Sequence, residues 1–198
     1  MKGDVRNGIP APGFSDRAND PEILAGLKKN RKAAVGCGFI LVPLPLIGFI
    51  LYSVFSDKME IRKAVMFGGI VSAVFLVFAL IGAVKNRAAK EYDATVIDKH
   101  SEWVDRRNGG NDKSYTRYTT VVRTTDGKKK NIVENSGSPL QAYEYLNVGD
   151  SFRYHPRFAF PYELYDKSRA PYLGCAVCGT KNAVSDDRCG KCKAPLLK

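Results

Sequence analysis

Apolar and polar positions are sharply segregated along this chain. Residues 33–55 and 64–84 contain no Asp, Glu, Lys or Arg. A bilayer core about 30 Å thick calls for about 20 consecutive apolar helical residues, and a charge at its centre costs roughly 3 kcal/mol. Both stretches meet that requirement and predict a two-helix transmembrane hairpin. A cleaved signal peptide would have a shorter apolar core close to the start. Here residues 1–32 are largely polar, and a second apolar run follows the first. Pro43 and Pro45 lie inside the first run; each removes a backbone donor, so a kink or a locally irregular stretch is expected there. In the second run, Gly68 and Ser72, Gly69 and Ala73, and Ala79 and Ala83 are four positions apart. Small residues at that spacing let helices approach closely, either within the hairpin or in a homo-oligomer formed through the membrane helices.

Residues 56–63 join the two runs, so both ends of the hairpin are expected on one side of the membrane. Lys28, Lys29, Arg31, Lys32, Lys85, Arg87 and Lys90 flank the hairpin, against Lys58, Arg62 and Lys63 in the loop. That excess places the N- and C-termini in the cytoplasm of a multi-pass cell-membrane protein.

Outside the membrane segments the pattern changes. Residues 1–19 show no apolar periodicity and hold several Gly and Pro, which predicts disorder. Asp20, Pro21 and Glu22 form a helix-start signal, and Ile23, Leu24 and Leu27 suit a juxtamembrane helix within residues 1–32 that lies along the membrane surface or runs into the first transmembrane helix. From residue 92 to 168 the pattern is that of strands. One opens at Ala94 and runs to about Val104. Asn108, Gly109, Gly110 and Asn111 signal a turn. Tyr115 to Thr125 is rich in Tyr, Thr and Val, and Asp126-Gly127 is a hairpin signal leading to a third strand. A short helix is expected after Ser138 and Pro139, a turn at Val148-Gly149-Asp150, and two further strands near 151–155 and 162–166. Three strands, a helix and two strands is the order of a small all-β barrel, OB-like or SH3-like. An open meander has the same order.

The runs Ala94-Thr95-Val96-Ile97-Asp98, Tyr118 with Val121, Asp126-Gly127-Lys128, and Val148-Gly149-Asp150 followed by Tyr154 and Pro156 resemble a bacterial family of membrane-tethered β-rich domains of unknown function. The resemblance covers about residues 92–168. It implies a membrane-associated β domain and brings no catalytic residues.

Candidate chemistry is concentrated at the C-terminal end. Of five cysteines, four lie there, at Cys175, Cys178, Cys189 and Cys192, and the fifth, Cys37, lies in the first apolar run. The spacing is C-x2-C-x10-C-x2-C. Two thiolates two residues apart in a tight turn can face one ion, and two such knuckles complete a tetrahedron around one structural Zn2+. Gly179 and Gly190 are expected to relax the knuckles. Residues 172–196, with Asn182 between the knuckles and Pro195-Leu196 after them, resemble the short zinc ribbons found at the ends of bacterial and archaeal membrane proteins. With four cysteine ligands no position is left for a catalytic water. Two disulfides or an iron site are the competing readings. A thioredoxin-like redox pair would need a βαβ unit, and the pattern shows none.

Net charge is +11 at a sequence pI near 9.5, which suits anionic lipid or nucleic acid without choosing between them. A basic and aromatic set, Trp103, Arg106, Arg107, Lys113, Tyr115, Arg117, Tyr118, Arg123, Lys128, Lys129 and Lys130, has the composition of single-strand nucleic-acid binders and equally of a solvated strand face. His100 and His155, the two histidines, belong to no metal-spaced or triad pattern and are expected at the surface or a barrel rim. No phosphate-binding glycine loop appears. These features point away from an enzyme and toward a membrane-anchored interaction protein. Its partners would be the lipid bilayer and an unidentified protein. The alternatives are a membrane-tethered nucleic-acid binder or an accessory subunit of a transport or enzyme complex.

Overall fold

The structure is a computed structural model that describes residues 12–55, 60–88, 90–105 and 114–198, with backbone only for residues 33–41 and 83–88. The chain forms two compact units, Met1–Leu27 with Lys90–Lys198, and Lys28–Ala89. Arg106, Arg107, Lys113, the glycine turn at 108–111 and Met59 lie outside the described residues, as does the Cys37 side chain.

The first apolar run is not one continuous helix. Helix α1 spans Pro21–Leu41, and α2 spans Leu44–Phe55. The break falls where Pro43 lacks an amide hydrogen and pushes the residue before it away from helical geometry. Pro43 O then accepts the Ile47 amide at 3.0 Å to start the new helix. The 12 residues of α2 extend only about 18 Å, short of a bilayer core. Helix α3 spans Ile61–Ala88. Within it Ile61–Gly82, 22 residues, is the one stretch among the described residues long and apolar enough to cross a membrane, at about 33 Å. The expectation of a multi-pass protein is therefore not supported, because the proline break divides the first run. Helices α2 and α3 pack on each other where Gly68 leaves room: a Cβ there would come within 2.9 Å of Leu46 Cα. Away from that contact the helices are apolar and exposed, as at Phe55, Phe67, Ile70 and Phe78.

The other unit is built on a five-stranded antiparallel sheet of order β3-β2-β1-β4-β5. The strands are β1 Tyr92–Val104, β2 Tyr115–Thr124, β3 Lys129–Asn135, β4 Ser151–Tyr154 and β5 Tyr162–Leu164. The expected hairpin between β2 and β3 forms, but through three residues rather than two. Arg123 pairs with Lys129, and only Gly127 takes positive φ, at 80°. A type I turn followed by a left-handed glycine needs only that one position. One face of the sheet carries Ala94, Val96, Val122 and Phe152, which pack with Tyr145 and Leu146 of the α4 region (α4, Gln141–Tyr145) and with Phe160, Tyr162 and Leu164. Lys99 Nζ donates to the carbonyls of Tyr143 and Leu146 at 2.5 and 2.8 Å, closing the C-terminal end of α4.

This sheet is not a closed barrel. Strand β1 pairs with β4 only over Tyr92–Thr95, and β4 and β5 have four and three residues. Strands so short leave β5 an edge rather than carrying the sheet round to β3. The edge is protected by a different device: the segment before α1 covers it. Gly13 N donates to Tyr165 O at 2.7 Å, and Phe14 packs edge-on against Tyr165 and beneath the Arg153 guanidinium. Ser15 N donates to the Glu163 carboxylate at 2.6 Å. A 3-10 turn, Asp16–Asn19, then leads into α1. Residues 12–19, expected to be disordered, are thus ordered by contacts with residues some 150 positions later, as for Ser15 and Glu163 with a separation of 148. At the opposite edge β3 presents Lys129, Lys130 and Glu134, charges that discourage edge pairing.

Candidate metal centre

Cys175, Cys178, Cys189 and Cys192 converge, with all four Sγ atoms within 4.8 Å of one another. Cys175 and Cys192 are 3.5 Å apart at sulfur, and Cys178 and Cys189 are 3.6 Å apart. A tetrahedron of thiolates at the usual 2.3 Å from zinc has edges of about 3.8 Å, so the spacing fits one ion. The donors are free thiols rather than disulfides. Burial pushes the Cys178 thiol up, but hydrogen bonding to the Thr180 side chain and amide and to the neighbouring thiols brings it down to about 6. Burial drives Cys175 upward against the amides of Cys178 and Val177. Four sulfurs this close cannot all ionise beside one another unless a cation neutralises them, so the donor set can hold a metal ion.

The two knuckles are built alike. Cys175 N donates to Thr180 O at 3.0 Å and Gly179 N donates to Cys175 O at 2.9 Å. In the second knuckle Cys189 N donates to Ala194 O at 2.9 Å and Lys193 N to Cys189 O at 3.0 Å. Gly179 and Lys193 occupy the equivalent position and share its left-handed backbone, with φ of 73° and 62°. Gly190 is not in that region. It brings its amide to Asn182 Oδ1 at 2.9 Å. Asn182, also bonded through Nδ2 to the carbonyls of Leu173 and Thr180, therefore ties the second knuckle to β6 (Leu173–Gly174) and β7 (Lys181–Asn182) beside the first. A non-glycine residue in the left-handed region costs about 1–2 kcal/mol, partly offset by glycine's greater unfolded-state freedom. Lys193→Gly is accordingly expected to stabilise the unit by about 0.5–1 kcal/mol. Denaturant titration of the metal-loaded protein checks this, and an unchanged or lower midpoint contradicts it.

Around the sulfurs lies a small apolar cluster of Leu173, Ala176, Val177, Ala194, Leu196 and Leu197. Ile23 of α1 completes it and is fully buried there, with Leu27 beside it. Neither residue lies free as a juxtamembrane surface. The 92–168 and 172–196 segments, delimited separately in the sequence, fall in one compact unit with residues 12–27.

Sequence reasoning missed a buried ionic group at the β5 edge. Glu163 is 3% exposed and Lys167 1%. Glu163 Oε1 accepts from Lys167 Nζ at 2.9 Å, and Oε2 lies 2.9 Å from His155 Nε2. Lys167 Nζ also donates to Gly13 O. The other ring nitrogen of His155 faces Glu91 at 3.1 Å. His155 is thus a buried network member, not a surface or rim histidine, with the Phe158 ring stacked on it. Burial pushes the Glu163 carboxyl up, but His155, Lys167 and the Ser15 amide outweigh this and hold it below its ordinary value. The available signal was Glu163 itself, an acid between the apolar residues Tyr162 and Leu164. His100 is exposed near Asp98.

The described part of the basic and aromatic set does not form one platform. Arg117 pairs with Glu102 at 2.8 Å, and Lys128 with Asp126 at 2.9 Å. Tyr118 packs against Tyr143, Lys130 sits over the Tyr92 ring, and Trp103 stands exposed. Comparison of the chain with family models, with curated proteins and with solved structures gave no match.

Proposed function

We propose that this chain is a non-enzymatic, membrane-anchored interaction protein. Helix α3 is its anchor, α2 lies against α3, and the sheet unit with a structural Zn2+ centre is its soluble part. The observation that carries the reading is the exposed apolar surface of Ile61–Gly82, joined in one chain to a unit with its own polar exterior and core. An apolar helix with that much surface in water would aggregate; in a bilayer the same surface is satisfied. Zinc is the ion of choice for four thiolates with no open position, and it would act as a folding staple rather than a Lewis acid. The excess of Lys and Arg flanking the helices supports a cytoplasmic sheet unit, in keeping with reduced thiols. The partner would meet the sheet unit, whose open side and exposed Trp103 offer surface.

Membranes from cells expressing the chain should retain it through alkaline carbonate and high-salt washes, as bilayer insertion requires. Release by either wash contradicts the anchor. A Met59→Cys variant labelled by a membrane-impermeant maleimide only from the cytoplasmic side would overturn the orientation.

A further inference from the structure

The first turns of α1 are seated on the four-cysteine centre itself. Val177, between Cys175 and Cys178, rests against Gly26, where a Cβ would come within 2.8 Å of Val177 Cγ1. Arg188, directly before Cys189, donates both of its terminal nitrogens to the Glu22 carboxylate at 2.8 and 3.2 Å. Ile23 fills the apolar space between these contacts and is wholly excluded from solvent. The first turns of α1 therefore touch both knuckles. Upstream, Gly13 and Ser15 are held by β5 and not by the ribbon.

We propose that residues 18–27 form a metal-dependent latch, seated when the four-cysteine centre is loaded and released when it is empty. This inference rests on the metal reading of the cysteines. The ribbon has few apolar residues to hold it without an ion, and in such modules metal binding is folding energy. With the ion gone, the Asn182 hydrogen bonds are the main tie between the knuckles, too little to hold Val177 and Arg188 at the separation that Gly26 and Glu22 require, and Ile23 loses its cavity. The coupling is reciprocal, because two events that favour the same folded state strengthen each other by one factor. Damage to the latch must then weaken metal binding by as much as metal loss weakens the latch. The hinge falls in the first half of the 3-10 turn Asp16–Asn19, before Ala18, so Gly13 and Ser15 stay on β5 when the latch opens. Release would bare Ile23, Val177 and Leu196 together, an apolar patch present only in the metal-free chain.

The test uses the full chain purified in detergent without chelators. Zinc content is measured, and amide exchange is followed at residues 18–27, 115–135 and 172–197 before and after EDTA. About one zinc per chain is expected, with protection lost together at 18–27 and 172–197 and kept at 115–135. Ile23→Glu, in competition with a fluorescent chelator, should raise the zinc Kd by about tenfold or more. A zinc-bearing chain whose residues 18–27 stay protected after EDTA overturns the latch and leaves the metal centre standing. An Ile23→Glu variant with unchanged zinc affinity does the same. A chain that carries no metal overturns both.

Discussion

Cys189→Ser and Cys192→Ser are each expected to strip the centre of its ion at a chelator concentration that leaves the parent chain loaded. The pair is informative because the two cysteines differ in packing. Cys189 is fully buried in the apolar cluster, while Cys192 is exposed. If the sulfurs served only as small apolar filler, Cys189→Ser would destabilise the ribbon and Cys192→Ser would be nearly silent. If they are ligands, each loses one of four thiolates and the losses are similar. Structural zinc contributes on the order of 10 kcal/mol to such modules, so removal of one ligand should cost several orders of magnitude in affinity. Metal content per chain after dialysis against chelator is the measurement. The sheet should survive either change, because its core of Val96, Val122, Tyr145 and Phe152 is a cluster distinct from that around the sulfurs. A Cys192→Ser chain that keeps its metal would rule out the tetrathiolate centre.

The second large effect is expected at Glu163. Glu163→Gln preserves shape but removes the negative charge that Lys167 and His155 face in the interior. Breaking a buried ion pair from one side costs about 3–5 kcal/mol. The change should therefore lower the unfolding free energy by roughly that amount at neutral pH. The pH dependence has a definite sign. The folded carboxyl lies below its ordinary 4.5, so its contribution is fully present above that value and is lost as pH falls through the folded one. Parent and variant should diverge most near neutrality and converge in acid, once the pH has fallen below the lowered folded value. Denaturant unfolding at several pH values reads this directly. A difference that stays constant from neutral to strongly acidic conditions would mean that the charge of Glu163 is not what stabilises the unit.

What could be read from the residues follows how local each signal is. The cysteine spacing is a local code, and so is the left-handed glycine at 127; the first is visible between Cys175 and Cys192 and the second within its own hairpin. Strands β1 and β2 announce themselves by β-branched and aromatic residues over ten or so positions, and β3 by the hairpin signal before it. The open form of the sheet was not legible, because whether β5 meets β3 depends on strand lengths and on what else covers the edge. That cover came from residues 13–15, whose own stretch carries no periodic pattern. The Glu163, Lys167 and His155 group was hidden for a related reason. Charged residues read as surface by composition, and only tertiary pairing makes their burial tolerable. The break between α1 and α2 was legible at Pro43 and Pro45 as a kink or local irregularity, because each proline acts on its own neighbours.

The contacts of the 3-10 turn and the first turns of α1 with the ribbon join residues very far apart, 166 positions between Glu22 and Arg188 and 179 between Arg17 and Leu196. Chains emerge from the ribosome at about 5–20 residues per second. Ile23 must therefore wait roughly ten seconds or more for the residues that bury it. During that interval the sheet, whose hairpins are local, can form while the leader remains unclaimed. High sequence separation makes this the slowest closure in the molecule. The unit is thus assembled from its middle outward, and the first turns of α1 are among the last parts to find their place.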